Sequence, residues 1–247
     1  MTTEALFRQD AYLQTCEAVV TAVEADGIAL DRTVFYPTSG GQAGDTGTLC
    51  LEDGSTLVIS EARKSKAGDA SPDDVMHLLA PGQEEALMRL QVGDTVMAAI
   101  DWQRRYRHMR FHTATHLLCA LVKQLVDGCS ITSDTARLDF VMTDPLDRDA
   151  VQAGLDALVA AAHPVATRWI SDEELLANPQ LVKSMSVSPP IGFGRVRLLV
   201  IGDAHEPIDL QPCGGTHVRN TSEIGAVRII KIEKKSSLTR RVVLGWA

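Results

Sequence analysis

Two short motifs gather residue types able to hold a divalent metal. His112-Thr-Ala-Thr-His116 sets two imidazoles four residues apart, and on a helix that spacing puts them on one face, about 5–6 Å apart at Cβ. Far downstream, Cys213-Gly-Gly-Thr-His217 pairs a thiol with a third imidazole across two glycines able to bend around an ion. A lone HxxxH is more often packing or surface, and a lone Cys213 passes for a small buried apolar residue. Neither explains why three of seven histidines and one of five cysteines fall in two matched motifs. His112, His116, Cys213 and His217 form a sensible tetrahedral set for Zn2+, with borderline-soft N and S ligands. Four protein ligands are the habit of structural zinc. A catalytic role asks for a displaced ligand, a fifth position, or a zinc that only positions substrate. Thr113 follows His112, so the HExxH base of metalloproteases is missing and peptidase activity is disfavoured. Nucleophile-elbow, Walker and dinucleotide fingerprints are also missing.

The elements that position these motifs differ between the two ends of the chain. The first hundred residues show short β-branched runs separated by turn signals. These are Cys16 to Thr33 around Asp26-Gly27, GTLCLE and STLVIS around Asp53-Gly54, and two short strands in LQVGDTVMAAIDW around a Gly-Asp turn. Lys64 to Pro72 reads as an exposed polar loop. Thr33 to Gly47 is a glycine-rich stretch leaving a strand, with backbone free to approach a ligand. From about Trp102 to Val126 apolar residues recur at helical spacing, with Gly128 as C-cap. Strands at 136–142, 164–170, 195–201, 225–233 and 241–244 follow, with a helix over 147–162. Ser171 and Glu174 fit a capping box ahead of a further short helix. The expected fold is α+β: a small β-barrel-like domain over residues 1–97, then an α/β sandwich over residues 98–247, an antiparallel sheet with helices on one side, bearing the zinc site.

Composition sets further bounds. With 247 residues, 45% hydrophobic and 23% charged, the chain can bury a real core. No apolar run approaches the roughly 18 residues needed to span a bilayer, and the start has no basic-then-apolar signal. Scattered cysteines fit reduced thiols in a cytoplasmic setting. The net charge of −8 argues against a general nucleic-acid coat, DNA included. That charge is uneven: residues 1–99 carry 6 basic and 16 acidic side chains, residues 100–247 carry 18 and 16.

Taken together, DRTVFYPTSGGQAGDTG, RFHTATHLL, ARLDF, QPCGGTHVRNTSEIG and the closing KIEKK…RRV resemble the AlaX family, free-standing relatives of the alanyl-tRNA synthetase editing domain. The resemblance runs in order over nearly the whole chain. Threonyl-tRNA synthetases carry a related His/Cys site, but FYPTSGGQ and CGGTHVRNT look like the alanyl branch. The N-terminal β domain without a long C-terminal extension matches the medium form. The resemblance implies a trans-editing hydrolase that cleaves mischarged tRNA(Ala) at its acceptor end, chiefly Ser-tRNA(Ala), with Gly-tRNA(Ala) a further substrate. It implies zinc on His112, His116, Cys213 and His217, and a pocket bordered by Thr33, Gly40, Gly41 and Gln42. A buried hydroxyl there would favour serine over alanine. The Gly214-Gly215 backbone is a candidate oxyanion donor. His108, one turn before His112, is a weak candidate base and otherwise a surface residue facing phosphate or solvent. One departure is Gly128-Cys129-Ser130-Ile131, where many members have Gly-x-Gln-Ile.

Basic residues cluster in the segments that carry the zinc motifs, with a net of +4 over residues 100–124 and +5 over residues 213–247. Arg104, Arg105, Arg107, Lys234, Lys235 and Arg240 are the expected tRNA contacts. Three other readings stay open: threonyl-type editing of Ser-tRNA(Thr), a structural zinc module that binds RNA without hydrolysis, and a zinc hydrolase of small esters or amides.

Overall fold

Alternation of apolar and polar residues in the first hundred positions closes a sheet on itself. The computed structural model describes residues 3–25, 27–65 and 74–247. Asp26 of the expected first hairpin turn and most of the expected 64–72 loop lie outside them. A short start, β1 (Glu4–Ala5) and α1 (Leu6–Gln9), leads to β2 (Thr15–Val23), β3 (Gly27–Leu30) and β4 (Arg32–Thr33). Then come β5 (Gly47–Leu51), β6 (Thr56–Lys64), β7 (Val75–Leu79), α2 (Glu84–Leu87) and β8 (Thr95–Ile100). The barrel closes in the order β2-β3-β7-β6-β5-β8, every neighbour antiparallel. Leu57 and Ile59 of β6 and Val96, Ala98 and Ile100 of β8 point inward, while Val58 and Met97 are exposed. Closure leaves the barrel strands no free edge. The expected strand before Gly93-Asp94 does not form. Asp94 accepts from Gln91 N across a tight turn with Gly93 at φ +101°, and β8 starts only beyond it.

The chain divides into two compact units, Met1–Ser39 with Ala43–Tyr106, and Gly40–Gln42 with Arg107–Ala247. The first unit runs past the expected limit at residue 97, and Arg105 is the reason. Its guanidinium is fully buried, paired with Asp45, and donates to Ala11 O at 2.9 Å and Val34 O at 2.6 Å. Those bonds bind the first turn of the long helix α3 (Trp102–Val122) into the barrel unit.

In the second unit, β9 (Val126–Ile131), β10 (Thr135–Val141), β14 (Val227–Ser236) and β15 (Thr239–Trp246) form one antiparallel sheet ordered β14-β15-β10-β9. β11 (Val165–Ser171), β12 (Arg195–Gly202) and β13 (Pro207–Pro212) form a second. Helices α4 (Arg148–Ala160) and α5 (Asp172–Ala177) complete it. Asp147 caps α4, and Ser171 with Glu174 makes the expected capping box on α5. Two sheets replace the single one expected from sequence, because β9 and β13 carry too little apolar pattern to stand out. Residues 111–119 of α3 are buried on every side, as a helix held between layers must be. Phe111 packs on Trp246 of β15, with ring centroids 4.0 Å apart, while His116 bonds Asp209 of β13. The helix stops at Val122, where Lys123 turns left-handed at φ +54°. Gly128 is therefore not its C-cap but a residue of β9.

Among the described residues no helix is long and apolar enough to cross a membrane.

Candidate metal centre

Helix spacing and a tight loop bring the two motifs to one point in the second unit. The ligand atoms of His112, His116, Cys213 and His217 lie within 4.8 Å of one another. Cys213 Sγ stands 3.5 Å from His112 Nε2 and 3.2 Å from His217 Nε2. A tetrahedral zinc with these donors has ligand–ligand edges of roughly 3.3–3.6 Å, which the two Cys213–histidine pairs already match.

Each imidazole is oriented by a different oxygen on its far side. His112 Nδ1 donates to Gln42 Oε1 at 2.7 Å, His116 Nδ1 to Asp209 Oδ2 at 2.7 Å, and His217 Nδ1 to Thr113 Oγ1 at 3.2 Å. Thr113 gives its own proton to Met109 O, which leaves its oxygen to accept. With every Nδ1 used as a donor, Nε2 is the nitrogen each ring turns toward Cys213, and the one that binds an ion once it carries no proton. Metal-bound histidines characteristically have such a partner. Asp209 is itself fixed by Lys183 Nζ on Oδ1 at 2.5 Å and Gln211 Nε2 on Oδ2 at 2.8 Å.

The charges agree with that geometry. Burial pushes the Cys213 thiol up, but the three facing imidazoles outweigh it and hold the group well below the usual thiol range. Burial works against a charge on His116, yet Cys213 and Asp209 hold it up at about 9. Burial dominates at His217 and brings it down to about 3. Asp209 is buried too, but its bond to His116 and the charge of Lys183 lower it to about 2, so it stays a carboxylate.

The loop between Cys213 and His217 is shaped by contact with its own ligand. A Cβ on Gly215 would sit 2.2 Å from His112 Cε1 and 2.4 Å from Nδ1. Only glycine lets the backbone pass there. Arg197 Nη1 holds the turn through Cys213 O at 2.7 Å and Gly215 O at 3.0 Å. Gly215 N points at Cys213 Sγ and Thr216 N at Gln42 Oε1, so these N–H groups already have acceptors. Gly214 is exposed beside the half-buried Cys213, and this is the side from which a ligand can come.

The Gly40-Gly41-Gln42 segment belongs to this unit. Ile131 N donates to Gly41 O at 2.7 Å, which stitches the tripeptide beside β9. Gly41, at φ +88°, lies where a Cβ would meet Cys129 O at 2.8 Å. Gln42 is fully buried, with its amide engaged by His112 and both polar groups of Thr216. Gly40 is exposed.

Three sequence expectations change. Thr33 is fully buried in the barrel, accepts from Phe35 N and gives its only hydroxyl proton to His77 Nε2 at 2.8 Å. His77 donates its other nitrogen to Ile28 O, and burial holds it at about 4 and neutral. That leaves Thr33 no proton for a substrate. Arg105 is buried against Asp45 and cannot touch RNA, whereas Arg104 reaches Gly44 O and Arg107 reaches Asp134 and the Trp246 ring, both partly exposed. His108 is fully buried rather than a surface residue. Lys234 is exposed, Lys235 bonds Asp139 at 2.9 Å, and Arg240 bonds Thr143 O. Sequence reasoning missed Asp209, Lys183, Gln211 and Arg197. Asp209 carried one signal, a lone carboxylate in the run I-D-L-Q four residues before Cys213.

Comparison with known proteins bears on this arrangement. Residues 196–243 match the family model "Threonyl and Alanyl tRNA synthetase second additional domain", and residues 3–104 match "tRNA synthetases class II (A)". The alanyl-tRNA editing protein AlaX-M of Methanosarcina acetivorans is 36% identical over 253 residues, 97% of each chain. That of Saccharolobus solfataricus is 31% identical, again over 97% of each. An alanine–tRNA ligase of Saccharolobus islandicus is 34% identical over 94% of this chain but only 25% of its own length. Likeness of this extent, end to end with the free-standing proteins and confined to a quarter of the synthetase, means that the chain belongs to the AlaX-M family of alanyl-tRNA editing proteins.

Proposed function

We propose that this chain is a zinc-dependent hydrolase that acts in trans on mischarged tRNA(Ala), releasing serine from Ser-tRNA(Ala) and, as a second substrate, glycine from Gly-tRNA(Ala). One observation carries the reading: in a chain of the AlaX-M family, four buried or half-buried ligand atoms converge with every imidazole pre-set to present Nε2. A donor set of three imidazole nitrogens and one thiolate sulfur suits zinc over harder ions such as Mg2+. When bound, the ion supplies Lewis acidity toward the ester carbonyl or a nearby water.

The chain's own residues do the rest. Gln42, Asp209 and Thr113 hold the ligands in one tautomer. Arg197 fixes the Cys213–Gly215 turn. Exposed backbone at Gly214 is the position where the aminoacyl group approaches, with Gly40, also exposed, the second backbone position from the motifs. Water adds to the carbonyl carbon, the bond to the ribose oxygen breaks, and the amino acid leaves as its carboxylate. Arg104, Arg107, Lys234, Lys235 and Arg240 are proposed to meet tRNA phosphates, and the setting is the cytoplasm. Relatives named for alanyl-tRNA editing support tRNA(Ala) over tRNA(Thr) as the substrate.

A deacylation panel tests this: Ser-tRNA(Ala), Gly-tRNA(Ala), Ala-tRNA(Ala) and Ser-tRNA(Thr), each with and without a zinc chelator. The expected result is chelator-sensitive release of serine from tRNA(Ala), with Ala-tRNA(Ala) spared. Full activity in the double variant Cys213→Ala, His217→Ala would overturn the role of the metal.

A further inference from the structure

We propose that the outer face of the β14-β15-β10-β9 sheet carries a phosphate cradle, Arg137, Lys235 and Arg241 arranged around the carboxylate of Asp139, that receives the sugar–phosphate backbone of an RNA duplex. The inference rests on the RNA-substrate reading above and adds to it the surface that holds the helical part of the substrate.

Strand alternation makes the cradle. Ala136, Leu138 and Phe140 of β10 are buried on the face toward α3, so Arg137 and Asp139 stand on the other. An aspartate on an outer face is normally solvated, but Asp139 is fully buried. Arg241 covers it at 2.7 and 3.0 Å, Lys235 at 2.9 Å and Arg137 at 3.2 Å. Its register partner on β9 is Gly128, where a Cβ would lie 2.9 Å from the carboxylate oxygen. The carboxylate thus lies over a position with no side chain.

Three cations on one carboxylate are more than neutralisation needs. With Glu233, which pairs with Lys231 and Arg241, the group holds four cations against two carboxylates, a net of +2. The side chains of Arg137, Lys235 and Arg241 remain 34%, 40% and 23% exposed. They are therefore held in place yet open to an anion, with much of their rotamer entropy already lost. The ligand class follows from what else the face displays. Its four strands contain two aromatic residues, and neither serves as a stacking platform: Phe140 is buried and Trp246 lies on Phe111. Unpaired bases bind through such platforms, whereas a duplex is held through its backbone charge. Gly40–Gln42, which holds His112, lies beside β9, two strand spacings or about 10 Å from β10, so a duplex on the outer face would reach the α3 side around this edge of the sheet.

The test uses the full chain and an uncharged RNA hairpin reproducing the acceptor arm, with Kd measured as a function of salt. Arg137→Gln with Lys235→Gln leaves Asp139 paired to Arg241, so the fold is preserved; unchanged thermal unfolding and metal content check this. The expected result is a log Kd against log salt slope reduced by about two and binding at least tenfold weaker near 0.1 M salt. Arg137→Lys with Lys235→Arg, which keeps the charges, should restore the slope. An unchanged slope in the Gln variant, while the wild type still deacylates Ser-tRNA(Ala), overturns the cradle and leaves the functional reading intact. Neither RNA binding nor deacylation by the wild type overturns both. A loss confined to phosphatidylserine vesicles or to unpaired oligonucleotides also overturns the cradle.

Discussion

Gly215→Ala separates the metal centre from the fold around it. Gly215 has no left-handed backbone, so a side chain adds no torsional strain, and the difficulty is space alone. The new Cβ would stand 2.2 Å from His112 Cε1 and 3.0 Å from Gln42 Oε1. Ordinary contact begins at 3.4 Å, so the ring must retreat by about 1.2 Å, whereas metal–ligand distances tolerate about 0.2 Å. The loop cannot yield instead, because Arg197 holds the carbonyls of Cys213 and Gly215 and Gln42 holds Thr216. His112 is therefore lost as a ligand. A four-ligand site of this kind binds zinc with about 10–16 kcal/mol, so one ligand in four is about 2.5–4 kcal/mol, an affinity loss of about 10²–10³-fold. Competition of Zn2+ against a chelating dye measures it, and the Co2+ absorption spectrum reports whether an imidazole has left. Gly214→Ala is the control: that residue is exposed, and its affinity should stay within about threefold. Wild-type affinity and an unchanged Co2+ spectrum in Gly215→Ala would refute the claim that close approach to His112 is what the glycine provides.

Asp209→Asn keeps an acceptor for His116 but removes the charge, and metal affinity should fall about 10–100-fold in the same competition titration; equal affinity would show that any acceptor suffices. Arg105→Leu strands Asp45 in the barrel unit and should cost about 3–5 kcal/mol in urea unfolding, with a loss below 1 kcal/mol counting against a structural role. His77, held at about 4 by burial, takes up a proton more readily when unfolded, where it titrates near 6.5. Its contribution is complete above about pH 6.5 and is lost as pH falls toward 4, about 3 kcal/mol in all. His77→Gln should flatten that part of the urea-stability profile, and an unaltered profile would place the pH dependence elsewhere.

The parts of this site legible in sequence were those where residue type alone carries chemistry. HTATH and CGGTH name their ligands because few other roles gather histidine and cysteine at that spacing, and β6 and β8 show their alternation because one face is water. What stayed hidden depends on distant partners. Nothing in RRYRHMR separates Arg105 from its neighbours, since its burial follows from Asp45, sixty positions away. Asp209 and Lys183 are common residue types whose meaning comes from lying behind His116. β13 begins and ends at proline and is six residues long, too short for a period-2 signal to dominate. Gly128 suggested a helix end by its distance from Trp102, but it is glycine because the Asp139 carboxylate lies over it.

The glycine-rich stretch shows how such distant dependence is built. Its tripeptide is expected to border the pocket and help test the amino acid. Gly40 and Gly41 both take positive φ, at +58° and +88°, and the three residues pair with Ile131 of the second unit. That pairing places one acceptor, Gln42 Oε1, 2.7 Å from His112 Nδ1. The three histidines therefore face an amide, a carboxylate and a hydroxyl drawn from three separate segments. Cys213 and Asp209 hold His116 up at about 9, while burial brings His217, whose partner is the uncharged Thr113 hydroxyl, down to about 3. A zinc ion held by His112, His116, Cys213 and His217 would supply Lewis acidity toward an ester arriving beside Gly214, and the unequal partners behind His116 and His217 are what would let the two ligands differ in how firmly they hold it.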